Sequence, residues 1–250
     1  DYDVNFDAWS AGLNYRITDS IAAFANYAEG GSVGSPDRIT GSIDPSGAIA
    51  NPEGWNSVEQ WEIGLKFVRR DASFFITYFN ADTNEAREFE VTTQSFIQNA
   101  FEAQGVEIEG HYEHESGFGI RANATFTDSD ITDTASGANI GNTPRRQAGY
   151  LFNVSPYYNH DRFTIGANIF GTDSVFVQDS NDLEFGAYTV TSISASFDLT
   201  DSLRVSANVN NLFNNVGFTE GEEGSAAPGD FVRIRPINGR TAAVSLSYRF

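Results

Sequence analysis

The sequence predicts an all-β fold, a transmembrane antiparallel up-and-down β-barrel, and three observations support this prediction. Apolar and polar residues alternate with a period of two along many segments, as in strands with one apolar face. Short turns and long connections follow each other in regular order. Residues 241–250 alternate and end on Phe250, and outer-membrane strands place aromatic residues at the membrane boundary. The edge strand of a soluble sandwich would give the same alternation in this segment alone.

The composition restricts the classes of protein to which this chain could belong. No segment has the ~20 consecutive apolar residues of a membrane-spanning helix, and 40% hydrophobic residues suits strands whose lumen-facing half is polar. The formal charge of −19 argues against nucleic acid as a partner, because such a chain would not neutralise a phosphate backbone. Because the chain has no cysteine, disulfides and thiolate metal sites are excluded. It also has no methionine, so we expect a processed or truncated part of a longer protein.

The alternating segments, taken in order, predict eleven strands. They cover residues 9–17, 21–29, 58–68, 72–81, 101–113, 118–127, 146–157, 162–171, 187–199, 202–212 and 241–250. Short turns lie near residues 19, 70, 116, 159 and 200. The long connections cover about residues 30–54, 82–99, 128–145, 172–186 and 213–239, and a β-ribbon is predicted from residue 89 to residue 93.

The sorting of connections by length favours an outer-membrane barrel over a soluble sandwich. Barrels have short turns on one side and long loops on the other, whereas a sandwich has Greek-key connections. Bacterial barrels close with an even number of strands, and an open edge in hydrocarbon leaves backbone groups unpaired. We therefore expect either a missed strand or, as the absent start suggests, the C-terminal half (residues 1–250) of a barrel with about 22 strands.

The alternation also predicts which side chains face the lumen. Phe118, Ile120 and Phe126 point to lipid, so the intervening Arg121 points inward. An arginine at the lipid midplane would cost about 2–4 kcal/mol, which supports the inward placement. Charged residues in the lumen are also explained by contact with water and by charge pairing between strands, without a role in binding or transport. The charged residues predicted to face inward are Glu62, Lys66, Glu107, Glu109, Arg121, Arg204 and Arg249.

Five segments resemble TonB-dependent receptors, and they occur in the order of that family. Residues 62–66 match its recurrent E-x-G-x-K strand, and residues 99–109 resemble its N-A…G-x-E-x-E strand after a long loop. Residues 142–145 resemble the proline-containing start of a later strand, and residues 210–214 resemble the N-L-F-(D/N) box. The fifth segment resembles the closing strand, with its signature at Val244, Leu246, Tyr248 and Phe250. Each match is short, but together they cover most of the chain from Trp55 onward.

The resemblance implies a location and a set of partners. It implies a receptor in the outer membrane of a Gram-negative bacterium, surrounded by outer-membrane lipid. The family's plug domain and TonB box are absent from this chain, so contact with the TonB complex would be made by an upstream segment. Some of the inward charges would then touch the plug or line the path of the solute.

The function implied by the resemblance is active import of a scarce, large solute. A ferric siderophore is the family default, and the alternatives are an oligosaccharide-importing receptor and a passive porin or adhesin-type barrel. Aromatic rings stack on a sugar face or a catecholate, and arginine pairs with a carboxylate-bearing chelate, although each such residue also fits ordinary loop surface. The candidate ligand-binding residues in the long loops are Trp55, Phe176, Phe218, Glu222, Glu223, Arg233 and Arg235.

The sequence gives no sign of an enzyme. Its three histidines lie at or near predicted short turns, and neither G-x-S-x-G nor H-E-x-x-H occurs. A barrel enzyme with its residues scattered over several strands would escape this search, so it stays as an alternative. Residues 128–133 carry oxygen ligands suited to Ca²⁺ but lack the glycine and terminal glutamate of an EF-hand, which favours a solvated acidic loop. We expect no cofactor and no metal.

Overall fold

The protein is described from a computed structural model, which covers residues 6–33, 55–85, 88–90, 95–97, 99–134, 137–221 and 231–250. Eleven strands form one sheet: β1 (Trp9–Arg16), β2 (Ile21–Val33), β3 (Trp55–Val68), β4 (Ala72–Asn84), β7 (Asn99–Glu113), β8 (Phe118–Thr134), β9 (Tyr150–His160), β10 (Phe163–Thr172), β13 (Tyr188–Asp198), β14 (Leu203–Asn210) and β17 (Thr241–Tyr248). Three small ribbons pair β5 (Glu88–Glu90) with β6 (Ser95–Ile97), β11 (Val175–Phe176) with β12 (Glu184–Phe185), and β15 (Phe218–Gly221) with β16 (Ile234–Pro236). Within these ranges no helix is long and apolar enough to cross a membrane.

The large sheet confirms the predicted fold class. Its spatial order is β1-β2-β3-β4-β7-β8-β9-β10-β13-β14-β17, so each strand pairs with the large-sheet strand before and after it in the chain. Every pairing is antiparallel. Strands that follow one another up and down in this way build the wall of a barrel.

The strands extend further into the long connections than the alternation predicts. β8 continues to Thr134, past the predicted end at residue 127, and β4 continues to Asn84. Beyond the apolar region both faces of these strands carry polar residues, so the period of two disappears while the backbone ladder goes on. β9 differs in the opposite sense, since it begins at Tyr150 and not at residue 146, because Arg146 adopts a left-handed backbone conformation with φ 63°.

One face of the sheet carries a continuous apolar belt. In one row across six neighbouring strands, Leu13 lies opposite Ala25, which lies opposite Ile63, and the row continues through Tyr78, Val106 and Phe126. Leu13 is 69% exposed in the isolated chain, and Val244 in β17 is 78% exposed. Apolar side chains in register across six strands, several of them exposed, are what a lipid-facing wall requires.

The buried core lies at one end of the sheet, where β8 and the long connections meet. Among the described residues, the buried hydrophobic side chains are Ile131, Ala148, Val177 and Phe185. All four belong to the end of the sheet where the long connections emerge, which we call the long-connection end; the opposite end is the short-turn end. A single-layer sheet has no second layer to pack on, so only the connections can enclose a core.

Candidate functional site

Two long connections interlock at the long-connection end. The Asn181 side chain donates a hydrogen bond to the Thr143 carbonyl oxygen (2.8 Å) and accepts one from the Thr143 backbone N–H (3.1 Å). The Asn142 side chain donates to the Asp179 carbonyl oxygen (2.8 Å), and the Asp179 carboxylate accepts from the Arg145 backbone N–H (2.9 Å). These bonds fix the connection after β10 onto the connection after β8.

Arg146 joins the third connection to the other two. Its backbone N–H donates to the Phe176 carbonyl oxygen (2.7 Å), and its Nη2 atom donates to the Gly221 carbonyl oxygen (3.4 Å). Glu220 lies between two guanidinium groups, with one oxygen 4.0 Å from Arg146 Nη1 and the other 2.5 Å from Arg235 Nη1. We call Arg146, Glu220 and Arg235 the arginine cluster. In an acidic chain this cluster places two arginines at one point of the loop surface.

A small buried core lies in the same connections as the arginine cluster. Val177 is 1% exposed, and the Phe185 ring packs against the Phe218 ring with centroids 5.4 Å apart. Gln178 lies in the same connection and is 5% exposed, yet neither polar atom of its side-chain amide has a hydrogen-bond partner. Buried amides normally have partners, so Gln178 is an unusual feature of this core.

The structure brings only some of the predicted ligand-binding residues together. Phe176, Phe218 and Arg235 belong to the interlocked connections, whereas Arg233 is exposed next to β16. The backbone of Trp55 begins β3, near the edge of the large sheet opposite to β14 and β17. Its side chain lies outside the described part. Glu222 and Glu223 also lie outside the described residues.

The sequence prediction missed Arg146 and Glu220, although the adjacent pair Arg145-Arg146 after Pro144 was a visible signal. The alternation predicts a strand from residue 146 to residue 157, which would include Arg146. In the structure Arg146 instead belongs to the connection that precedes β9.

The polar face of the sheet carries its charges mainly on β3, β7 and β8. Lys66 Nζ lies 4.4 Å from the centre of the Phe24 ring, and the hollow beside them is also lined by Glu107 and Glu109. Glu62 points to the same face, since it lies opposite Asn26 and Phe79 in a row that contains no belt residue.

Arg121 extends this charged region towards β9. Its guanidinium lies 5.4 Å from the centre of the Tyr157 ring, whose hydroxyl is 3.3 Å from His111 Nε2. Ion–ring contacts of this kind hold charged side chains in place without neutralising them.

The same face is neutral from β9 to β17 except near the short-turn end. Its described side chains there are mostly serine, threonine and asparagine, such as Asn153, Ser194 and Asn208. At the short-turn end, Arg204 donates two hydrogen bonds to the Asp198 carboxylate, from Nε (2.5 Å) and Nη2 (2.8 Å).

Arg249 follows β17, and its backbone N–H donates to the Ser202 carbonyl oxygen (2.8 Å). Val244, Leu246 and Tyr248 lie on the apolar face of β17. The Phe250 ring packs edge-on against the Tyr248 ring, 5.2 Å between centroids.

A row of carboxylates crosses the apolar face beyond the belt, towards the long-connection end. Glu29, Glu59, Asp82, Glu102 and Asp130 lie directly opposite one another on five neighbouring strands. Desolvation, together with the carboxylates of Glu102 and Glu59, raises the pKa of Asp82. This carboxylate row lies four residues beyond Tyr78 along β4, so it stands outside the lipid-facing part of the wall.

Aromatic residues mark the border between the belt and the carboxylate row. Trp9 Nε1 donates to Glu29 (3.1 Å), and the Tyr27 hydroxyl donates to Glu59 (2.7 Å). Trp61 and Tyr78 continue this border, with ring centroids 5.4 Å apart. Aromatic rings with one apolar and one polar end are enriched at the interface between lipid and water.

A single-layer antiparallel wall with an apolar belt, an aromatic border and a polar inner face defines a β-barrel protein of the bacterial outer membrane. The model of the family "TonB dependent receptor-like, beta-barrel" matches residues 1–212. The chain belongs to the TonB-dependent receptor family, whose members are outer-membrane proteins of Gram-negative bacteria, which confirms the predicted family and location.

Solved structures of similar fold are receptors by their titles. The ferric yersiniabactin uptake receptor FyuA from Yersinia pestis is 18% identical, with a TM-score of 0.75 over 97% of this chain and 37% of FyuA. The siderophore receptor PiuA from Acinetobacter baumannii is 18% identical, with a TM-score of 0.77 over 98% and 36%. The ferric-catecholate import receptor Fiu from E. coli K12 is 16% identical, with a TM-score of 0.75 over 97% and 35%.

These likenesses show the fold, and the chain spans little more than a third of the length of each of the three receptors. A search of curated protein sequences finds no match.

Proposed function

We propose that this chain forms part of the barrel of an outer-membrane transporter that binds a ferric siderophore and imports it with energy from the TonB complex. The observation that carries the proposal is the set of three interlocked connections at one end of a family barrel. They hold the arginine cluster where a solute would first meet the protein. Binding residues are commonly found on loops that a rigid scaffold positions.

The proposed orientation follows from the two ends and the two faces of the sheet. The long-connection end faces the outside of the cell, and the short turns face the periplasm. The polar face lines the lumen, where Glu62, Lys66 and Arg121 meet water or a plug domain. Transport consists of binding at the outer end followed by energy-coupled displacement of the plug, which an upstream segment would supply. No covalent step is involved.

The arginine cluster favours an anionic chelate as the solute. A guanidinium binds carboxylate and catecholate oxygens with two parallel hydrogen bonds, and such charge-assisted bonds are the strong ones. Arg235 is 73% exposed and reaches Glu220 from the loop surface. An incoming anionic ligand would compete with Glu220 for both guanidinium groups. The titles of FyuA, PiuA and Fiu name ferric or siderophore ligands, which agrees with this choice.

An oligosaccharide is the second candidate solute. Phe231 is fully exposed two residues before Arg233, and an exposed ring offers a surface for a sugar to stack on. The predicted aromatic candidates favour this solute less, because Phe176 and Phe218 are half-buried and the Phe218 ring packs against Phe185.

The proposal is tested by measuring binding of radiolabelled iron chelates to cells that express the complete receptor and lack competing receptors. We expect tight binding of an anionic ferric chelate. Arg146→Gln and Arg235→Gln should each weaken it about ten- to a hundredfold, because each removes charged hydrogen bonds of about 1.5–3 kcal/mol. Arg162→Gln is the matched control, since Arg162 pairs with Asp201 at the short-turn end.

Three results would contradict the proposal in different ways. Binding of glycans without binding of any chelate would support the oligosaccharide receptor. Solute uptake that continues after the energy supply is removed would support a passive porin. Hydrolysis of lipid, peptide or glycan by the purified protein would support a barrel enzyme.

A further inference from the structure

A proline interrupts the backbone ladder in the middle of the sheet. Pro156 lies within β9, which has neighbours on both sides. The register between β9 and β10 pairs Gly166 with Tyr157 and Ile169 with Val154, and it contains no partners between these two pairs. The ladder has this gap because proline has no backbone N–H to donate. For the same reason, prolines in sheets are otherwise confined to edge strands and bulges.

On the polar face, side chains bridge this gap. Asn168 Nδ2 donates to Asn153 Oδ1 (3.1 Å) and to Ser155 Oγ (3.0 Å). The Ser155 hydroxyl itself donates to Asn153 Oδ1 (2.9 Å). These bonds join β9 to β10 at the level where the backbone ladder lapses, so the sheet tolerates the proline from this side.

On the apolar face, the same level of the sheet is a groove of about 240 Å³. Small groups, Ala167 and the Pro156 ring, lie beside larger side chains, since Ala167 is opposite Ile193 and Phe118 is opposite Tyr158 in the register. The lining is almost wholly apolar. The side chains on this face that line the groove are Phe118, Pro156, Tyr158, Ile165, Ala167 and Ile193.

We propose that this groove holds one acyl chain of a membrane phospholipid. The groove is continuous with the lipid-facing belt of an outer-membrane barrel, so hydrocarbon chains of the membrane reach it directly. Its almost wholly apolar lining matches hydrocarbon and offers nothing to a polar ligand. The groove is shallow and open, and a chain lodged in it would contact the side chains that line it, from Phe118 and Tyr158 to Ile193.

The residues below the groove place the head group of this lipid. The Tyr158 ring stacks on the His160 ring with centroids 6.1 Å apart, and His160 lies opposite Phe163 at the last level of the sheet. His160 Nδ1 is 3.7 Å from the Asp161 carboxylate, and both side chains are exposed. An imidazole and a carboxylate therefore stand at the short-turn end of the groove, where the head group of a lipid in the adjacent leaflet would lie.

The test is native mass spectrometry of the complete receptor, purified in a mild detergent that leaves tightly held lipids in place. We expect a species that carries the mass of one phospholipid. Ala167→Phe fills the groove and should abolish this species. Ala25→Phe is the matched control, because Ala25 also points outward from the belt, between Leu13 and Ile63, and is remote from the groove. This variant should retain the lipid as the unmodified receptor does.

The outcomes separate the proposal from its alternatives. Equal lipid retention by Ala167→Phe and Ala25→Phe would overturn it, and so would an unmodified receptor that carries no phospholipid. A dimer that Ala167→Phe alone disrupts would assign the groove to a second copy of the receptor. If Ala167→Phe does not reach the folded state, judged by its mobility on an unheated gel, the smaller change Ala167→Leu gives the same comparison. Chelate binding is measured separately, so its failure leaves this test intact.

Discussion

Gly105 shows how closely single residues are packed on the polar face. A Cβ atom at this position would lie 2.1 Å from the carbonyl oxygen of Phe126 and 2.6 Å from the ring of Phe79. Aromatic rings that cover a glycine on the neighbouring strand stabilise sheets of this kind, since the ring shields backbone that has no side chain of its own. Gly64, covered by the ring of Phe24, repeats the arrangement.

Replacing Gly105 with alanine should therefore destabilise the barrel. Gly105→Ala forces a methyl group against backbone and ring, and such overpacking costs about 1–3 kcal/mol. Gly110→Ala in the same strand is the control, because its nearest neighbour would be Phe74 at 3.9 Å. The free energy of unfolding by urea in detergent micelles measures both changes. Equal stability of the two variants would show that the ring and backbone move aside freely.

The burial of the Gln178 side chain makes an unfavourable contribution to the free energy of folding. Both polar atoms of its amide are buried without partners, and such a group costs about 1–3 kcal/mol. Gln178→Leu should therefore stabilise the loop core by an amount in this range, measured as slower proteolysis of the connections in the folded receptor. Val216→Ala, an exposed change in the same region, is the control. If the leucine variant is less stable and also loses chelate binding, Gln178 serves the solute and not the fold.

Among the elements, the carboxylate row is the clearest case of like charges that repel one another across neighbouring strands. Like charges directly opposite one another on neighbouring strands destabilise a sheet, and here five carboxylates are aligned. The pKa of Asp82, near the middle of the row, is raised above its ordinary value, chiefly by desolvation and then by Glu102 and Glu59. A raised carboxyl pKa in the folded state means that the ionised form of Asp82 destabilises the fold.

Asp82→Asn should therefore raise stability at neutral pH. The gain should be about 0.2–1 kcal/mol, the size of one unfavourable cross-strand pair. As the pH falls through the folded-state pKa of Asp82, its carboxyl group becomes protonated, so the difference between variant and parent should shrink. Thermal unfolding midpoints measured between neutral and acidic pH test this, with Asp19→Asn in a short turn as the control. A difference that is constant with pH would contradict the assignment.

At the scale of the whole molecule, the two ends of the sheet differ in construction. The long-connection end holds the buried core and the interlocked connections, whereas the short-turn end closes with exposed turns such as that of Glu115. The proposed orientation places the first outside the cell and the second in the periplasm. This chain contains no cysteine, so labelling of a cysteine introduced into it is read against the unmodified receptor.

Cysteine labelling in intact cells tests this orientation. Ile140→Cys, at a site 53% exposed at the long-connection end, should react with a bulky, membrane-impermeant maleimide added outside. Glu115→Cys, whose parent side chain is 92% exposed, should react only after the outer membrane is permeabilised. The reverse pattern of labelling would invert the proposed orientation and remove the arginine cluster from the solute's path.

The local pattern of the chain was sufficient for the strands and their order. An alternation such as that of Phe118, Ile120 and Phe126 reflects the pleat of a strand, and connection lengths reflect which strands can be neighbours. The pattern fails near the strand ends, because both faces meet water there and no period remains to be detected. This explains why the predicted end of β8 lies at residue 127 although the strand continues to Thr134.

By itself, then, the sequence determined the eleven-stranded wall, its apolar face and its family, because these depend on local period and on short motifs. Only the tertiary structure decided which loop residues contact one another and which side chains form the groove beside Pro156. The arginine cluster joins residues 146, 220 and 235, and the groove needs Pro156 beside Ala167 and Ile193. Contacts between residues so far apart arise when connections fold over one another and strands pair in a fixed register, and no local pattern encodes them.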